Sequence, residues 1–253
     1  MAERPYIVGN WKMNGTRAML PEARAIDRAA QRYMKAEVAV APPFTLIHAV
    51  HREAEQIGVG AQDCFPGEDG AHTGDISATM LADAGAKFVI IGHSERRGDH
   101  KETSKQINAK IESAIEAGLR IILCCGETLP IREKGEAEDF VLKQLRASLP
   151  KIEDPTERLT VAYEPVWAIG TGKTATPADI EAMHKAIRTL LDETYGEEQS
   201  SGVRILYGGS VKPENAREIL SLPEVGGALV GGASLSAESF LGIVVAASET
   251  EEA

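Results

Sequence analysis

The sequence predicts an α/β protein of the (β/α)8-barrel class, and three observations lead to this prediction. The chain has 253 residues, which matches the ~250 residues typical of such barrels. Eight short apolar runs alternate with longer amphipathic stretches, and most of the runs are continuously apolar, a pattern typical of parallel strands covered by helices. The first run is followed by Gly9-Asn10-Trp11-Lys12 and not by a dinucleotide-binding glycine fingerprint.

Each candidate strand is an apolar run bounded by glycine, proline or polar residues. The eight runs are Tyr6–Asn10, Val38–Ala41, Val59–Gln62, Phe88–Gly92, Ile121–Cys125, Leu159–Glu164, Val203–Tyr207 and Ala228–Val230. Helical patterns lie between them at Ala18–Gln31, Thr45–Glu55, Ala78–Ala84, Thr103–Ala117, Glu136–Leu149, Glu214–Leu220 and Ser236–Ala247, and after Thr176. This alternation fits a closed barrel or an open doubly wound sheet, and periodicity alone does not separate the two.

The helix after Thr176 has the clearest signals. Thr176 can cap its N-terminus, Pro177 suits the first helical position, and Asp179 favours the first turn. The apolar residues that follow fall on one helical face: Ile180, Met183, Ile187 and Leu190.

Composition narrows the class of protein. Apolar residues make up 43% and charged residues 26% of the chain, as in ordinary globular proteins, so disordered and membrane classes are not expected. The 27 basic and 38 acidic side chains give a formal net charge of −11, which does not suit non-specific nucleic-acid binding. Three cysteines and no signal-like N-terminus predict a reduced, cytoplasmic protein. No linker interrupts the pattern, so we expect residues 1–253 to form one domain.

Polar residues and glycines directly follow several candidate strands. In a (β/α)8 barrel, the carboxyl ends of the strands form the active-site face. We therefore expect these residues to meet at one opening: Asn10, Lys12, His93, Glu95, Glu164, Gly208, Gly209, Ser210, Gly231 and Gly232.

Glu164 closes an apolar strand and precedes Pro165-Val166-Trp167. Desolvation among such neighbours would raise its pKa and make it a better base near neutral pH. The alternative is a glutamate that faces solvent or a basic partner.

Among the six histidines, only His93 emerges from a candidate barrel strand, so it is the candidate acid–base imidazole. The alternative is a structural histidine. No other histidine or cysteine has metal-ligand spacing with it, so we do not expect a zinc site.

Lys12 and the paired glycines predict an anion site. Strand alternation would point Asn10 and Lys12 the same way, so Lys12 could meet an anionic substrate; the alternative is a surface lysine. Gly208-Gly209 and Gly231-Gly232 follow strands seven and eight, where barrel enzymes often bind phosphate through backbone N–H groups. Singly, each pair could be an ordinary turn.

The segment after Glu164 predicts a lid. Gly170-Thr171-Gly172-Lys173-Thr174 lacks the first glycine of a nucleotide-binding P-loop, since Trp167 stands there. A bulky tryptophan with two glycines suits a loop that closes over a reactive intermediate, and a static surface loop is the alternative. The vicinal Cys124 and Cys125 are expected on opposite strand faces, as small core residues.

Five stretches in order along the chain form a family pattern. They are Gly9–Gly15 (GNWKMNG), Gly92–Arg97 (GHSERR), Ala162–Lys173 (AYEPVWAIGTGK), Tyr207–Val211 (YGGSV) and Val230–Leu235 (VGGASL). Together they closely resemble the triosephosphate isomerase family and cover the chain from end to end. The stretch Ala162–Lys173 is highly specific by itself. The resemblance implies a closed TIM barrel and the interconversion of dihydroxyacetone phosphate and D-glyceraldehyde 3-phosphate in glycolysis and gluconeogenesis, with no metal or organic cofactor.

The resemblance also implies a role for each site residue. Glu164 would be the catalytic base and His93 the electrophile. Lys12 would face the charge of the substrate, with Asn10 beside it and Glu95 orienting the site from behind.

By the same resemblance, backbone N–H groups of Gly170, Ser210, Gly231 and Gly232 would hold the phosphate. Tyr207 and Ser210 would latch the closed lid. The lid itself would consist of Pro165, Val166, Trp167, Ala168, Ile169, Gly170, Thr171, Gly172, Lys173 and Thr174.

The family forms homodimers through the loop after strand three, which here is Gln62–Ser77. His72 stands at its tip where the family more often has an aromatic ring, so we expect changed contacts and a pH-sensitive interface. Two other functions are alternatives to this one. A Schiff-base barrel aldolase commonly presents a lysine at the end of strand six, where this chain has Glu164. A non-catalytic phosphometabolite-binding protein gives no reason for Glu164, His93 and Lys12 to coexist.

Overall fold

Eight parallel strands close into a barrel in chain order, with β1 paired to β2 on one side and to β8 on the other. The computed structural model describes residues 4–169 and 173–249. The strands are β1 Tyr6–Asn10, β2 Glu37–Ala41, β3 Gly58–Ala61, β4 Phe88–Ile91, β5 Arg120–Cys125, β6 Leu159–Tyr163, β7 Ile205–Tyr207 and β8 Gly227–Val230. The closed barrel is confirmed, and the open sheet is excluded.

Helices cover the outside of the barrel. They are α1 Leu20–Ala30, α2 Ile47–Glu53, α3 Ala78–Asp83, α4 Ser94–Asp99, α5 Ser104–Glu116, α6 Leu129–Glu133, α7 Ala137–Arg146, α8 Pro155–Arg158, α9 Pro177–Tyr195, α10 Glu197–Ser200, α11 Pro213–Leu220 and α12 Ala237–Glu249. The sequence patterns did not predict α4, α6, α8 or α10, because helices of four to six residues are too short to show periodicity. Within the described ranges, no helix has the length and apolar character needed to cross a membrane.

The predicted cap of α9 is confirmed. The Thr176 side chain accepts a hydrogen bond from the Asp179 N–H, and the Asp179 carboxylate accepts one from the Thr176 backbone N–H. The predicted apolar face is buried, with Ile180, Met183, Ile187 and Leu190 all against the core. This cap fixes where the helix begins after the predicted lid.

Alternate strand residues build two apolar layers. One fills the barrel: Tyr6, Val8, Ala39, Ala41, Phe88, Ile90, Ile122, Cys124, Ala162, Leu206 and Leu229. The other lies between strands and helices and includes Cys125, so the vicinal cysteines do face opposite sides, and both are free thiols. Gly60 makes room for the Phe88 ring, since a Cβ at position 60 would lie 2.3 Å from it. The filled interior leaves the carboxyl ends of the strands as the open face.

Candidate active site

A cavity of about 570 Å³ opens at the carboxyl ends of the strands. The predicted residues meet here as expected, since the cavity is lined by Asn10, Lys12, His93, Glu164, Gly208, Gly209, Ser210, Gly231 and Gly232. Glu95 borders a neighbouring cavity of about 580 Å³ together with Asn10, Lys12 and His93. Gly170, Thr171 and Gly172 lie outside the described residues. The barrel therefore gathers residues that are far apart in the sequence into one site; Asn10 and Glu164, for example, are 154 positions apart.

Glu164 lies directly after β6 and is 2% exposed. Its backbone N–H donates to the Cys125 carbonyl over 2.7 Å, which continues the β5–β6 ladder by one residue. Its carboxylate accepts hydrogen bonds from the Ser94 backbone N–H at 2.9 Å, the Ser94 hydroxyl at 3.2 Å and His93 Nε2 at 2.8 Å. The carboxylate is thus held by three hydrogen bonds from the segment that follows β4.

Two glycines let the end of β6 pass closely between its neighbours. A Cβ at Gly126 would lie 1.8 Å from the Glu164 carbonyl oxygen. A Cβ at Gly208 would lie 3.0 Å from the Glu164 Cγ atom and 3.1 Å from the Tyr163 carbonyl oxygen. Larger residues at these positions would displace Glu164, so both glycines help to place it.

The pKa of Glu164 departs from the sequence expectation. Burial does favour the neutral acid and acts to raise the pKa, as the sequence predicts. The charge and hydrogen bond of His93, together with the two hydrogen bonds from Ser94, outweigh burial and lower the pKa below its ordinary value. The expectation of a raised pKa is therefore wrong for this resting arrangement, because the contacts that reverse it come from another strand.

His93 caps α4 with its own ring. Nδ1 accepts a hydrogen bond from the Glu95 backbone N–H over 3.3 Å, so the proton of the neutral ring lies on Nε2, which faces Glu164. Burial acts to lower the pKa of His93, but the Glu164 carboxylate raises it by more, and Glu95 adds to this. The close contact therefore stabilises both the charged carboxylate of Glu164 and the protonated imidazole of His93.

The Lys12 side chain reaches the cavity because of its backbone conformation and not because of strand alternation. β1 ends at Asn10, and Lys12 has a left-handed backbone with φ of 53°. This conformation is uncommon outside glycine and costs about 1–3 kcal/mol. It is held by hydrogen bonds from the Lys12 N–H to Asn10 Oδ1 and from the Gln62 amide to the Lys12 carbonyl. The predicted location was correct, but the predicted reason was wrong.

The Lys12 side chain pairs with a carboxylate at the edge of the site. Its Nζ lies 2.7 Å from Glu95 Oε1, and both side chains are partly exposed. Gly231 lies beside the same side chain, since a Cβ at that position would be 3.4 Å from Lys12 Cε. The cation therefore stands between the α4 carboxylate and the glycine loop after β8.

The start of the predicted lid is anchored by a buried glutamate. Trp167 lies in the 3-10 turn Val166–Ala168, and its indole N–H donates to Glu127 Oε1 over 2.7 Å. The Tyr163 hydroxyl donates to the same oxygen, and the Arg132 guanidinium stacks 4.4 Å above the indole ring. Arg132 also pairs with Asp179 at the start of α9. One cluster thus links the chain before and after the predicted lid.

Sequence reasoning missed several residues of this site, namely Ser94, Gln62, Gly126, Glu127 and Arg132. Ser94 could have been found from the sequence, because it is a polar residue that follows His93 at the end of a candidate strand. Nothing in the sequence pairs Glu127 with Trp167 or Arg132, because those contacts depend on how the loops after β5 and β6 pack together.

A buried carboxylate, an imidazole and a lysine beside two glycine loops define an enzyme of the (β/α)8-barrel class with an acid–base site for a small anionic ligand. The triosephosphate isomerase family matches residues 5–247, so the chain belongs to this family. Triosephosphate isomerase of Caulobacter vibrioides is 55% identical over 96% of each chain. The Thermus thermophilus enzyme is 50% identical over 95% of this chain and 98% of its own.

A solved structure agrees with the sequence relatives. The crystal structure of triosephosphate isomerase from Bartonella henselae has a TM-score of 0.89 and 44% identity, and it covers 96% of this chain and 98% of its own. The family resemblance seen in the sequence is thereby confirmed.

Proposed function

We propose that this chain interconverts dihydroxyacetone phosphate and D-glyceraldehyde 3-phosphate through an enediolate, as a step of glycolysis and gluconeogenesis. The observation that supports this best is the buried Glu164 carboxylate, 2.8 Å from His93 Nε2, at the cavity that Lys12 and the glycine loops also line. This arrangement places a base, a hydrogen-bond donor and a cation around one small anionic substrate.

The first step needs Glu164 to leave its resting partners. The carboxylate gives up the hydrogen bonds from His93 and Ser94 and takes a proton from the carbon next to the substrate carbonyl. The C–H electron pair forms the carbon–carbon double bond of the enediolate, and the carbonyl oxygen becomes negative. Glu164, now protonated, returns the proton to the neighbouring carbon. The hydroxyl proton of the enediolate passes to its negative oxygen, so that the former hydroxyl becomes the new carbonyl and the former carbonyl becomes the new hydroxyl. Loss of the stabilising hydrogen bonds raises the basicity of the carboxylate when it meets substrate.

His93 donates from Nε2 to the enediolate oxygens. Once Glu164 has moved away, its carboxylate no longer raises the pKa of His93, and burial keeps the ring neutral. The Glu95 backbone N–H on Nδ1 keeps the remaining proton on Nε2. A neutral donor at this position stabilises the oxyanion without protonating it fully.

Lys12 supplies the positive charge of the site. Asn10 holds the Lys12 backbone through its Oδ1 atom, and Glu95 orients the ammonium group. Backbone N–H groups of Ser210, Gly231 and Gly232 hold the phosphate, together with Gly170 in the lid.

The lid, Pro165–Thr174, closes over the bound substrate and is latched by Tyr207 and Ser210. Replacing Gly170 and Gly172 by alanine is expected to slow closure and to raise the fraction of substrate lost as methylglyoxal, because an enediolate exposed to water eliminates phosphate. Methylglyoxal is measured per turnover, with Gly98→Ala as the control glycine outside the lid. An unchanged methylglyoxal yield would argue for a static surface loop.

The protein acts in the cytoplasm as a homodimer built through Gln62–Ser77, with residues 1–253 as one domain per chain. The Phe65 N–H donates to the Ile76 carbonyl across this loop, and the His72 ring lies 4.2 Å from the Phe65 ring at its exposed tip. The exposed Met13 and Phe44 side chains both border the 580 Å³ cavity beside Lys12. Two large exposed apolar side chains at one cavity form a patch that favours a covered surface.

Deleting residues 69–74 is therefore expected to give a monomer with impaired activity. Sedimentation equilibrium compares the masses of the variant and the parent chain. The same measurement on the parent chain at a series of pH values tests whether the dimer at His72 is sensitive to pH. A parent chain that sediments as a monomer at micromolar concentration would refute this interface.

A coupled assay tests the activity itself. The protein, D-glyceraldehyde 3-phosphate, glycerol-3-phosphate dehydrogenase and NADH are combined in the presence of EDTA, and absorbance at the NADH band is followed. We expect rapid NADH loss that EDTA does not reduce. Folded protein that gives no NADH loss would favour the phosphometabolite-binding alternative, and reduction by borohydride to a covalent adduct would favour the aldolase.

A further inference from the structure

A second cavity of about 240 Å³ lies behind the catalytic carboxylate, between the β4–α4 segment and the segment from the end of β5 to α7. Among the residues that the structure describes, it shares only Glu164 with the active-site cavity. Its walls are mainly apolar or small, and they include Cys125, Phe140 and Val166 together with Gly92 and Gly126. Such a pocket suits an organic ligand with a few polar anchors.

Gly98 is an exposed residue in the wall of this cavity. It lies in α4, and a Cβ built at this position meets no atom within 4 Å. A larger side chain at this position therefore meets no steric obstacle at its Cβ atom, which makes Gly98 a suitable position for a variant that narrows the cavity.

Arg97 supplies a cationic anchor in the wall. Its Nε donates to the Gly92 carbonyl at 2.7 Å and its Nη2 to the Cys124 carbonyl at 3.0 Å, which fixes the plane of the guanidinium. Three of its five N–H groups remain without a partner, and it forms no ion pair with any carboxylate of residues 4–169 and 173–249. The adjacent Arg96, in contrast, pairs with both Asp63 and Glu102.

No other charged group of the cavity wall forms an ion pair with Arg97 among the described residues. The Glu164 carboxylate is occupied by Ser94 and His93. Burial lowers the pKa of Arg97, and nearby thiols and carboxylates only partly oppose this. Arg97 is half-buried and has no counter-ion within the described ranges, so its remaining N–H groups can bind an anion that enters the cavity.

We propose that this cavity binds a small aromatic carboxylate, with the carboxylate on Arg97 and the ring against Phe140 and Val166. The guanidinium is planar and suits a carboxylate through paired hydrogen bonds. A cavity of about 240 Å³ is below the ~300–1,000 Å³ of drug-sized sites but above the ~150 Å³ that holds benzene. A single-ring acid therefore matches it.

Occupancy opposes turnover without competing for the substrate site, a consequence that rests on the proposed function. A ligand here lies against Glu164, against Ser94, which holds its resting carboxylate, and against Val166, at the start of the lid. All three change position or partners when Glu164 moves to the substrate. The ligand therefore stabilises the resting state, and kcat falls while KM for the triose phosphate changes little.

Benzoate is the probe, and two variants at one position provide the control. Gly98→Leu is designed to place a large side chain at the cavity wall and Gly98→Ala a small one, while both remove the same glycine. Titration calorimetry is expected to give a Kd on the order of 1 mM for the parent chain and for Gly98→Ala, at least ten times weaker binding for Gly98→Leu, and at least ten times weaker binding for benzyl alcohol, which has no charge. Thermal unfolding tests whether both variants are folded.

The outcomes are separable from those for the isomerase activity, because the titration needs no turnover. Equal benzoate binding by Gly98→Leu and the parent chain would overturn the proposed site, and so would equal binding of benzyl alcohol. Displacement of benzoate by inorganic phosphate would assign the binding to the active-site cavity instead. Benzoate inhibition that is competitive with D-glyceraldehyde 3-phosphate would overturn the coupling to Glu164.

Discussion

Glu164→Gln is expected to lower kcat by about 10²–10⁴-fold or more, the range that a general base contributes. Glutamine keeps the shape of the side chain, and its one amide oxygen can still accept hydrogen bonds from His93 and the Ser94 hydroxyl, but the amide does not remove a proton from carbon. KM is expected to change little, because Lys12 and the glycine loops still hold the substrate. Steady-state kinetics in the coupled assay measure both constants.

Glu112→Gln is the matched control, since Glu112 is exposed on α5. Its kinetics should equal those of the parent chain. A Glu164→Gln variant with kcat within tenfold of the parent value would mean that another group is the base.

Lys12→Ala is expected to lower kcat/KM by about 10²–10³-fold, the cost of removing one preorganised charge or donor at a developing anion. Both constants should change, because the ammonium meets the anionic substrate in the ground state and the enediolate in the transition state. The variant also leaves Glu95 without its partner at 2.7 Å, so a carboxylate would face the substrate without neutralisation.

Lys105→Ala is the control for loss of a lysine, because Lys105 is exposed on α5 and contributes nothing to the cavity. Thermal unfolding of Lys12→Ala separates a folding defect from a binding defect. If Lys12→Ala and Lys105→Ala had the same kinetics, Lys12 would be a surface lysine without a role in catalysis.

The sequence was sufficient to predict which strand ends contribute to the site. Continuous apolar runs identify parallel strands, and the barrel rule then brings His93, Glu164 and the glycine loops to the same face. This reasoning works because each prediction depends on local residues and one general geometric rule. The cap of α9 was predictable for the same reason, since Thr176, Pro177 and Asp179 act within a single helical turn.

Features that arise from contacts between distant segments were not predictable. The pKa of Glu164 falls because Ser94 and His93 from another strand donate to it, which no local pattern encodes. Lys12 reaches the cavity through a left-handed turn held by Gln62, and not through strand alternation. The cluster of Glu127, Trp167 and Arg132 likewise depends on the packing of two loops.

The central claim, that Glu164 carries a proton between neighbouring carbons through an enediolate, is tested most directly by isomerisation in D2O. Dihydroxyacetone phosphate is converted by the parent chain and by Glu164→Gln, and NMR measures deuterium at C2 of the D-glyceraldehyde 3-phosphate formed. We predict deuterium in part of the product of the parent chain, because the protonated carboxyl group exchanges with solvent, and almost no conversion by the variant. Product without deuterium, or labelled product formed equally fast by Glu164→Gln, would contradict the account.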